Sequence, residues 1–237
     1  LQTQKILSIS KEASIKYCIF YLGERILRSL LIILFFILYT SQGYSEVDDW
    51  SSYGKDSGGG HYSKATEITP ENVKNLKKVW THRSGDYHNG LNWTEDVTPN
   101  SSQQTSFQAT PLLVNETLYY CTPYNRVFAL DPATGEEKWI FDPKVEKEGK
   151  ALMHCRGVGS WIDSEKVESD KCYHRIITGT IDAELFSIDG KTGELCKDFG
   201  DDGLVDLRSG LGDHNPAFYY SVSPPAIIGD LVIVGGG

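Results

Sequence analysis

One stretch of this chain is written twice, and an internal repeat constrains a fold more than any single motif. Residues 118–142, LYYCTPYNRVFALDPATGEEKWIFD, overlie residues 176–200, IITGTIDAELFSIDGKTGELCKDFG, without a gap at a shift of 58 positions, Asp131 falling on Asp189. Thr134, Gly135 and Glu136 meet Thr192, Gly193 and Glu194; Thr122, Phe128 and Phe141 meet Thr180, Phe186 and Phe199. A second shift, 113 positions from Leu118 to Leu231, sets Ser223 and Pro224 over Thr110 and Pro111. Repeats of this length are supersecondary units that bury their apolar faces on copies of themselves.

Each copy parses alike. Apolar runs rich in β-branched and aromatic residues, 118–121 and 176–178, predict a strand, and a second run ends at Asp131 or Asp189. Asp-x-x-Thr-Gly then makes a tight turn, because the Asp side chain bonds nearby amides and Gly accepts positive φ cheaply. A third run, 137–141, closes the unit. Antiparallel strands joined by tight turns predict an all-β β-propeller and not a parallel α/β sheet, whose crossovers need helices. A single β-sandwich is the plainer alternative, against which two independent shifts count. Asp131 and Asp189 are turn residues and not catalytic acids. Trp139 is expected to wedge between blades with its N–H bonded. Its partner in the repeat is Lys197, so Phe199 is expected to serve the second blade.

At the N-terminus, Arg25 and Arg28 precede the apolar run 30–39, followed by Ser41 and Gly43. Basic flank, short apolar core and small residues are the parts of a secretory signal cleaved before Tyr44. The run is about ten residues where a spanning helix needs roughly 20, and a single uncleaved anchor is the alternative. Residues 1–43 are therefore read as extension and signal peptide or anchor, and 44–237 as the repeat domain. No cysteine follows the run to carry a lipid.

Export permits disulfides. Cys18 leaves with the signal, and Cys155 and Cys172, which bracket the polar loop 164–170, are the candidate bridge. Cys121, whose repeat partner is Gly179, is expected to be a free buried thiol. The C-x-x-C spacing of a zinc site does not occur. The net charge of −9 argues against nucleic acid or anionic membrane as a partner. The sequons at Asn92, Asn100 and Asn115 matter only in a glycosylating host.

From Asp49 onward the sequence becomes specific. Gly58, Gly59 and Gly60 read as flexible backbone, since no strand precedes them and no Lys-Ser/Thr follows to make a phosphate cradle. Residues 72–76 predict a short helical turn before a strand at 78–82. Residues 84–106 predict a long surface loop, either functional or a tolerated insertion.

DWSSYGKDSGGGHYS, NVKNLKKVW, FQATPLLV, NRVFALDPATGEEKW, CRGVGSW, SIDGKTGELC and SPPAIIGDLVIVGGG, in that order, resemble the N-terminal part of the pyrroloquinoline quinone (PQQ)-dependent dehydrogenases. The branch with the membrane-bound glucose dehydrogenase and its soluble relatives is the most similar. The resemblance runs from about Asp49 to Gly237 and implies an eight-bladed propeller, of which about three blades lie here. It implies PQQ on the axis beside Ca²⁺ or a lanthanide, the metal acting as Lewis acid and the quinone carrying the redox chemistry. The implied activity is oxidation of a sugar, polyol or alcohol in the periplasm, with electrons passed to a respiratory acceptor, quinone or cytochrome c. A non-catalytic propeller of the same repeats, acting as a binding or outer-membrane assembly scaffold, is the alternative. Such scaffolds lack Cys-Arg-Gly-Val and the Trp50 to Gly54 opening.

The resemblance also assigns residues. Arg156 matches the family's PQQ-contacting arginine, and a guanidinium suits a flat tricarboxylate because it stays charged and offers forked hydrogen bonds. Gly157 allows close backbone approach beside it. Gln108 stands where relatives often have a cofactor-contacting Glu, and Ser223, with Ser221 an alternative, where they place a hydroxyl donor. His154 either serves a cofactor role by a local shift or faces solvent. Arg126, whose repeat partner is Glu184, is open between structure and site, and His214 is read as a solvated loop residue. The catalytic Asp and the metal ligands are expected beyond Gly237. The chain stops directly behind the run 231–234, where the shift of 113 calls for another turn, and so reads as a fragment. An open arc exposes strand edges and forms no axial pocket, so alone it is expected neither to reduce a dye nor to hold PQQ tightly.

Overall fold

The computed structural model describes residues 49–56, 58–88, 104–147, 152–213 and 219–236. The expected signal segment, the sequons at Asn92 and Asn100, and His214 lie outside them. The described strands are β1 (Gln104–Phe107), β2 (Leu112–Val114), β3 (Thr117–Cys121), β4 (Val127–Leu130), β5 (Glu137–Phe141), β6 (Leu152–Cys155), β7 (Gly159–Ile162), β8 (His174–Gly179), β9 (Glu184–Asp189), β10 (Leu204–Asp206), β11 (Ala226–Ile228) and β12 (Leu231–Ile233). Strands β2-β3-β4-β5 and β7-β8-β9-β10 form two four-stranded antiparallel sheets, β11 and β12 open a third, and β1 pairs with β6 in parallel. These are propeller blades following one another along the chain. The expected helical turn is a 3₁₀ turn at Val73–Asn75.

The repeated turns fold as their residues dictate. Asp131 Oδ1 accepts the N–H groups of Ala133 (2.9 Å) and Thr134 (2.8 Å), and Gly135 closes the turn at φ +75° with its N–H on Asp131 O. Asp189 does the same for Lys191 and Thr192, with Gly193 at φ +77°. Burial alone would raise the Asp189 carboxyl, but N–H donors from Cys172, Thr192 and Lys191 outweigh it and hold the pKa below the usual carboxylate value. At the opposite end of each blade Thr122 and Thr180 cap matching turns, accepting the N–H of Arg126 and of Glu184.

Tryptophans join the blades. Trp139, on β5, donates Nε1–H to Gly190 O of the second blade at 2.9 Å, and its ring lies where a Gly193 side chain would be. Trp80 treats the first blade identically, donating to Pro132 O at 3.1 Å over Gly135. His82 then meets Phe128 edge-on at 5.0 Å, as Phe141 meets Phe186 at 5.2 Å. Residues 78–82 therefore occupy the place of an outer strand from a blade preceding the first. Among the described residues they pair with no other strand, which is why the expected strand does not form a ladder here.

Packed from both sides, β4 and β8 are buried along their whole length, and Leu112, Tyr119, Val127, Ile176 and Ile188 form the shared core. Each such side chain contributes roughly 1.5–3 kcal/mol of burial. Ile228, Leu231 and Ile233 of the third sheet stay exposed.

Three expectations are corrected. The bridges are Cys121–Cys155 and Cys172–Cys196, with Cα separations of 5.9 and 5.8 Å, and not Cys155–Cys172. Gly159 pairs with Ile177 and Ile162 with His174, so Cys155 and Cys172 lie at opposite ends of the β7–β8 ladder, beyond disulfide reach. Cys121 is accordingly no free thiol. The second blade's outer strand is β10, not the segment aligned with β5. Cys196, tied to Cys172 and donating its N–H to Ser187 O, turns the chain away before it returns to pair Leu204 with Phe186. Trp161 of β7 also reaches the third sheet, bonded to Gly229 O at 3.0 Å, and lines one groove with Phe199 and Val232.

Candidate functional site

The innermost strands β2, β7 and β11 all start from the same end of the blades, and the segment leading into each carries the candidate residues. These three lead-ins form a parallel ladder from blade to blade. Thr110 N–H donates to Arg156 O and Arg156 N–H donates to Val222 O, continuing the pairing of Phe107 with Cys155. Gln108, Arg156 and Ser223 are thereby brought to one rim.

Arg156 is exposed, and its Nε donates to Gln108 Oε1 at 3.3 Å; among the described residues no carboxylate bonds it. Gln108 in turn donates from Nε2 to Ser106 Oγ at 3.0 Å. Gly157 is buried, and a Cβ there would meet Pro224 Cγ at 2.8 Å, so the second and third lead-ins touch only because it is glycine. Of the two serines, Ser221 is buried against Gly179 with its Oγ lacking a partner among the described residues. Ser223 is half-buried, and the Val222 bond sets it alongside Arg156.

Beneath this rim His154 does not face solvent, one of the two alternatives its sequence position left open. His154 is buried with its ring edge toward Tyr220, and its Nδ1 has no partner among the described residues. Burial, then the neighbouring Arg156 charge, pushes its pKa below that of an ordinary histidine. Asn125 is fully buried, donating Nδ2–H to His154 O at 3.1 Å and accepting Ile181 N–H at 2.8 Å. The signal that could have revealed Asn125 and Cys121 is the break in the repeat, where Ala183 and Gly179 stand instead.

Arg126 is taken up elsewhere. It makes a two-point bond to Asp86 at 2.9 and 2.6 Å and a further one to Ser84 O, fixing residues 84–86 on the first blade. Gly58 and Gly60 donate their N–H groups to Asp56 Oδ1, so that glycine run is closed on itself and cradles no phosphate. Trp50 pairs with Leu113 on the free edge of β2.

Comparison with known proteins identifies the family. The family described as PQQ glucose/ethanol/alcohol dehydrogenase, β-propeller domain, matches residues 50–237. Quinoprotein glucose dehydrogenase A of Acinetobacter calcoaceticus is 34% identical over 201 residues, covering 79% of this chain and 24% of that protein. The quinoprotein glucose dehydrogenase of Escherichia coli (strain K12) is 35% identical over 195 residues, 79% of this chain and 23% of that one. The glycerol dehydrogenase large subunit of Gluconobacter oxydans (strain 621H) is 33% identical, covering 78% of this chain and 24% of its own length. The chain thus spans about a quarter of the length of these relatives. Among solved structures, the quinohemoprotein alcohol dehydrogenase from Comamonas testosteroni aligns with a TM-score of 0.58 at 21% identity, covering 84% of this chain and 25% of its own. A europium-containing methanol dehydrogenase aligns at 0.56 and 19%, covering 80% and 27%. At these identities the likeness is one of fold. With the family matched across all three lead-ins and both blades, the chain belongs to the PQQ-dependent dehydrogenases and carries part of their β-propeller domain.

Proposed function

We propose that this chain forms the Arg156 side of the cofactor site in a PQQ-dependent dehydrogenase that oxidises a sugar, polyol or alcohol. The observation that carries the reading is the exposed guanidinium of Arg156, bonded to the amide of Gln108 and to no acid among the described residues. A rim of guanidinium, amide and hydroxyl, with no carboxylate bonded to Arg156 among the described residues, fits a planar, polyanionic group, because each can donate to a carboxylate or carbonyl oxygen. The Nδ1 of buried His154 beneath it is a further polar atom with no hydrogen-bond partner among the described residues.

In this reading Arg156 binds a cofactor carboxylate or carbonyl through its fork, Gln108 fixes the plane of that fork and adds a donor, and Ser223 supplies a hydroxyl. Gly157 lets Pro224 lie against the second lead-in. When bound, PQQ supplies the acceptor for the hydride equivalent leaving the alcohol carbon. Ca²⁺ or a lanthanide would act as Lewis acid, with ligands from outside this chain. Export to the periplasm, supported by the signal-like N-terminus, and electron transfer to a quinone or cytochrome c, the acceptors printed in the names of a related quinate/shikimate dehydrogenase (quinone) and 1-butanol dehydrogenase (cytochrome c), complete the proposal.

The test is Arg156→Ala and Arg156→Lys in the full-length protein, with PQQ titrated into the apoprotein and followed by tryptophan fluorescence. Loss of a charge-assisted bond worth about 1.5–3 kcal/mol corresponds to affinity weakened by roughly tenfold to a hundredfold. Lys recovers only part of it, because an ammonium cannot reproduce the fork. Wild-type affinity in Arg156→Ala refutes the assignment.

A further inference from the structure

The two repeats act as internal controls for one another. Their turns nearest the lead-ins are alike: Thr122 and Thr180 cap them, and Asn125 and Ala183 both sit in the left-handed region, at φ +57° and +60°. The blade therefore needs neither an amide at 125 nor a thiol at 121, since Ala183 and Gly179 serve the second blade. Both departures nevertheless face the same short segment. Cys121 is bonded covalently to Cys155, and Asn125 holds the carbonyl of His154. Arg156 comes next. In the second blade, by contrast, the backbone of Gly179 lies so close to Ser221 that a Cβ would be 2.5 Å from Ser221 O.

We infer that Cys121 and Asn125 are positioning residues for Arg156, a covalent and a hydrogen-bonded clamp that fixes the 154–156 backbone so its guanidinium points to the rim in one orientation. This rests on the reading of Arg156 as a cofactor-binding residue. Arg156 is exposed, and its described side-chain bond, to Gln108, is long at 3.3 Å. Its direction is therefore set by the backbone that bears it. That backbone is held by the disulfide, the Asn125 bond and the two ladder bonds to Thr110 and Val222. Asn125, fully buried, also accepts Ile181 N–H, so the same side chain ties the first blade's turn to the second's. The Cys172–Cys196 bridge joins the far part of the second blade and bonds none of the lead-ins, which makes it the matched control.

The experiment compares Cys121→Ala/Cys155→Ala, Asn125→Ala, Cys172→Ala/Cys196→Ala and Arg156→Ala in the full-length protein. PQQ affinity is measured by titration of the apoprotein, and hydrogen exchange is followed across residues 152–158 without cofactor. Supporting residues of a binding site commonly change affinity by about tenfold or more. The expected result is PQQ binding weakened about tenfold, with faster exchange at 152–158, in the Cys121/Cys155 and Asn125 variants. The Cys172/Cys196 variant should match wild type in both, although it too melts earlier. Equal effects from the two cysteine pairs, or unchanged exchange and affinity in the Cys121/Cys155 variant, overturn the inference. If Arg156→Ala weakens binding and the clamp variants do not, the inference falls and the Arg156 assignment stands. If Arg156→Ala leaves binding intact, the assignment falls and takes the inference with it. Should the Cys121/Cys155 variant fail to accumulate, Asn125→Ala decides the matter, because it leaves both disulfides in place.

Discussion

Replacing Gly193 by alanine tests the joint between the two blades. Gly193 sits at φ +77°, and a Cβ there would come within 2.8 Å of Trp139 Cδ2 and 3.0 Å of Cε3. The left-handed backbone costs an L-residue about 1–2 kcal/mol. Relieving the overlap means moving a ring that is already bonded, which overpacking experiments place at about 1–3 kcal/mol. Displacing the indole also stretches the 2.9 Å bond from Nε1 to Gly190 O, worth about 1 kcal/mol. The expected loss is therefore about 3–6 kcal/mol. Gly229→Ala is the control, since it has φ +56° but nothing within 4 Å of the new Cβ, leaving the backbone cost alone. Thermal unfolding of the full-length protein at one fixed scan rate should show Gly193→Ala melting well below Gly229→Ala. A Trp139→Ala background should abolish most of the excess, because the two residues touch and their effects cannot add. Equal melting of the two glycine variants, or strict additivity with Trp139→Ala, would refute the wedge.

Two further outcomes are expected. Burial holds the His174 pKa down to about 4, partly opposed by Asp189, and the unfolded histidine titrates near 6.5. The unfolded state therefore binds the proton first: this stability is whole above about pH 6.5, and is lost as pH falls toward and through about 4. It amounts to about 3 kcal/mol at 1.36 kcal/mol per unit. His174→Gln should flatten the stability profile over that window, and an unchanged profile would rule His174 out. Peptide mapping of non-reduced protein should yield Cys121 linked to Cys155 and Cys172 linked to Cys196, and removing either bridge should cost about 3–4 kcal/mol for loops of these lengths. A peptide joining Cys155 to Cys172 would contradict the blade geometry.

What could be read from the sequence was what short-range chemistry decides. The Asp-x-x-Thr-Gly turns, the strands around them and the blade-bridging Trp139 are written in residues close to one another. The first strand of each blade was hidden, because the two hairpins differ in length. Asn115 and Glu116 join β2 to β3 directly, with both φ positive as a tight hairpin demands, whereas residues 163–173 intervene between β7 and β8. The shift of 58 consequently aligns the two blades only from β3 and β8 onward. Disulfide partners depend on which blade ends meet in space, which a polar loop between two cysteines does not report. Arg156 and Gly157 could be named as candidates by resemblance and chemistry, but the support beneath them could not. Asn125 reads as an ordinary turn residue until His154 O and Ile181 N–H are seen on either side of it.

Where the repeats agree and where they part depends on what each end of a blade must do. At the end distant from the lead-ins the requirement is the same for every joint, and the solution recurs: an indole N–H on the carbonyl after the turn Asp, over a glycine, for Trp80 on the first blade and Trp139 on the second. Adhesion between like units can be served by like residues. The lead-in end cannot be built that way if it holds one cofactor, because a ring of equivalent positions would offer equivalent donors to a molecule that has no such symmetry. Gln108, Arg156 and Ser223 on neighbouring rungs are unlike each other, and the supports under them differ as well: a disulfide with an amide bond for the second lead-in, a bare glycine backbone for the third. Loss of repeat identity at one end of the blades, with its retention at the other, is thus the pattern expected when a symmetric scaffold carries an asymmetric ligand, and the site proposed at the Arg156 end accords with it.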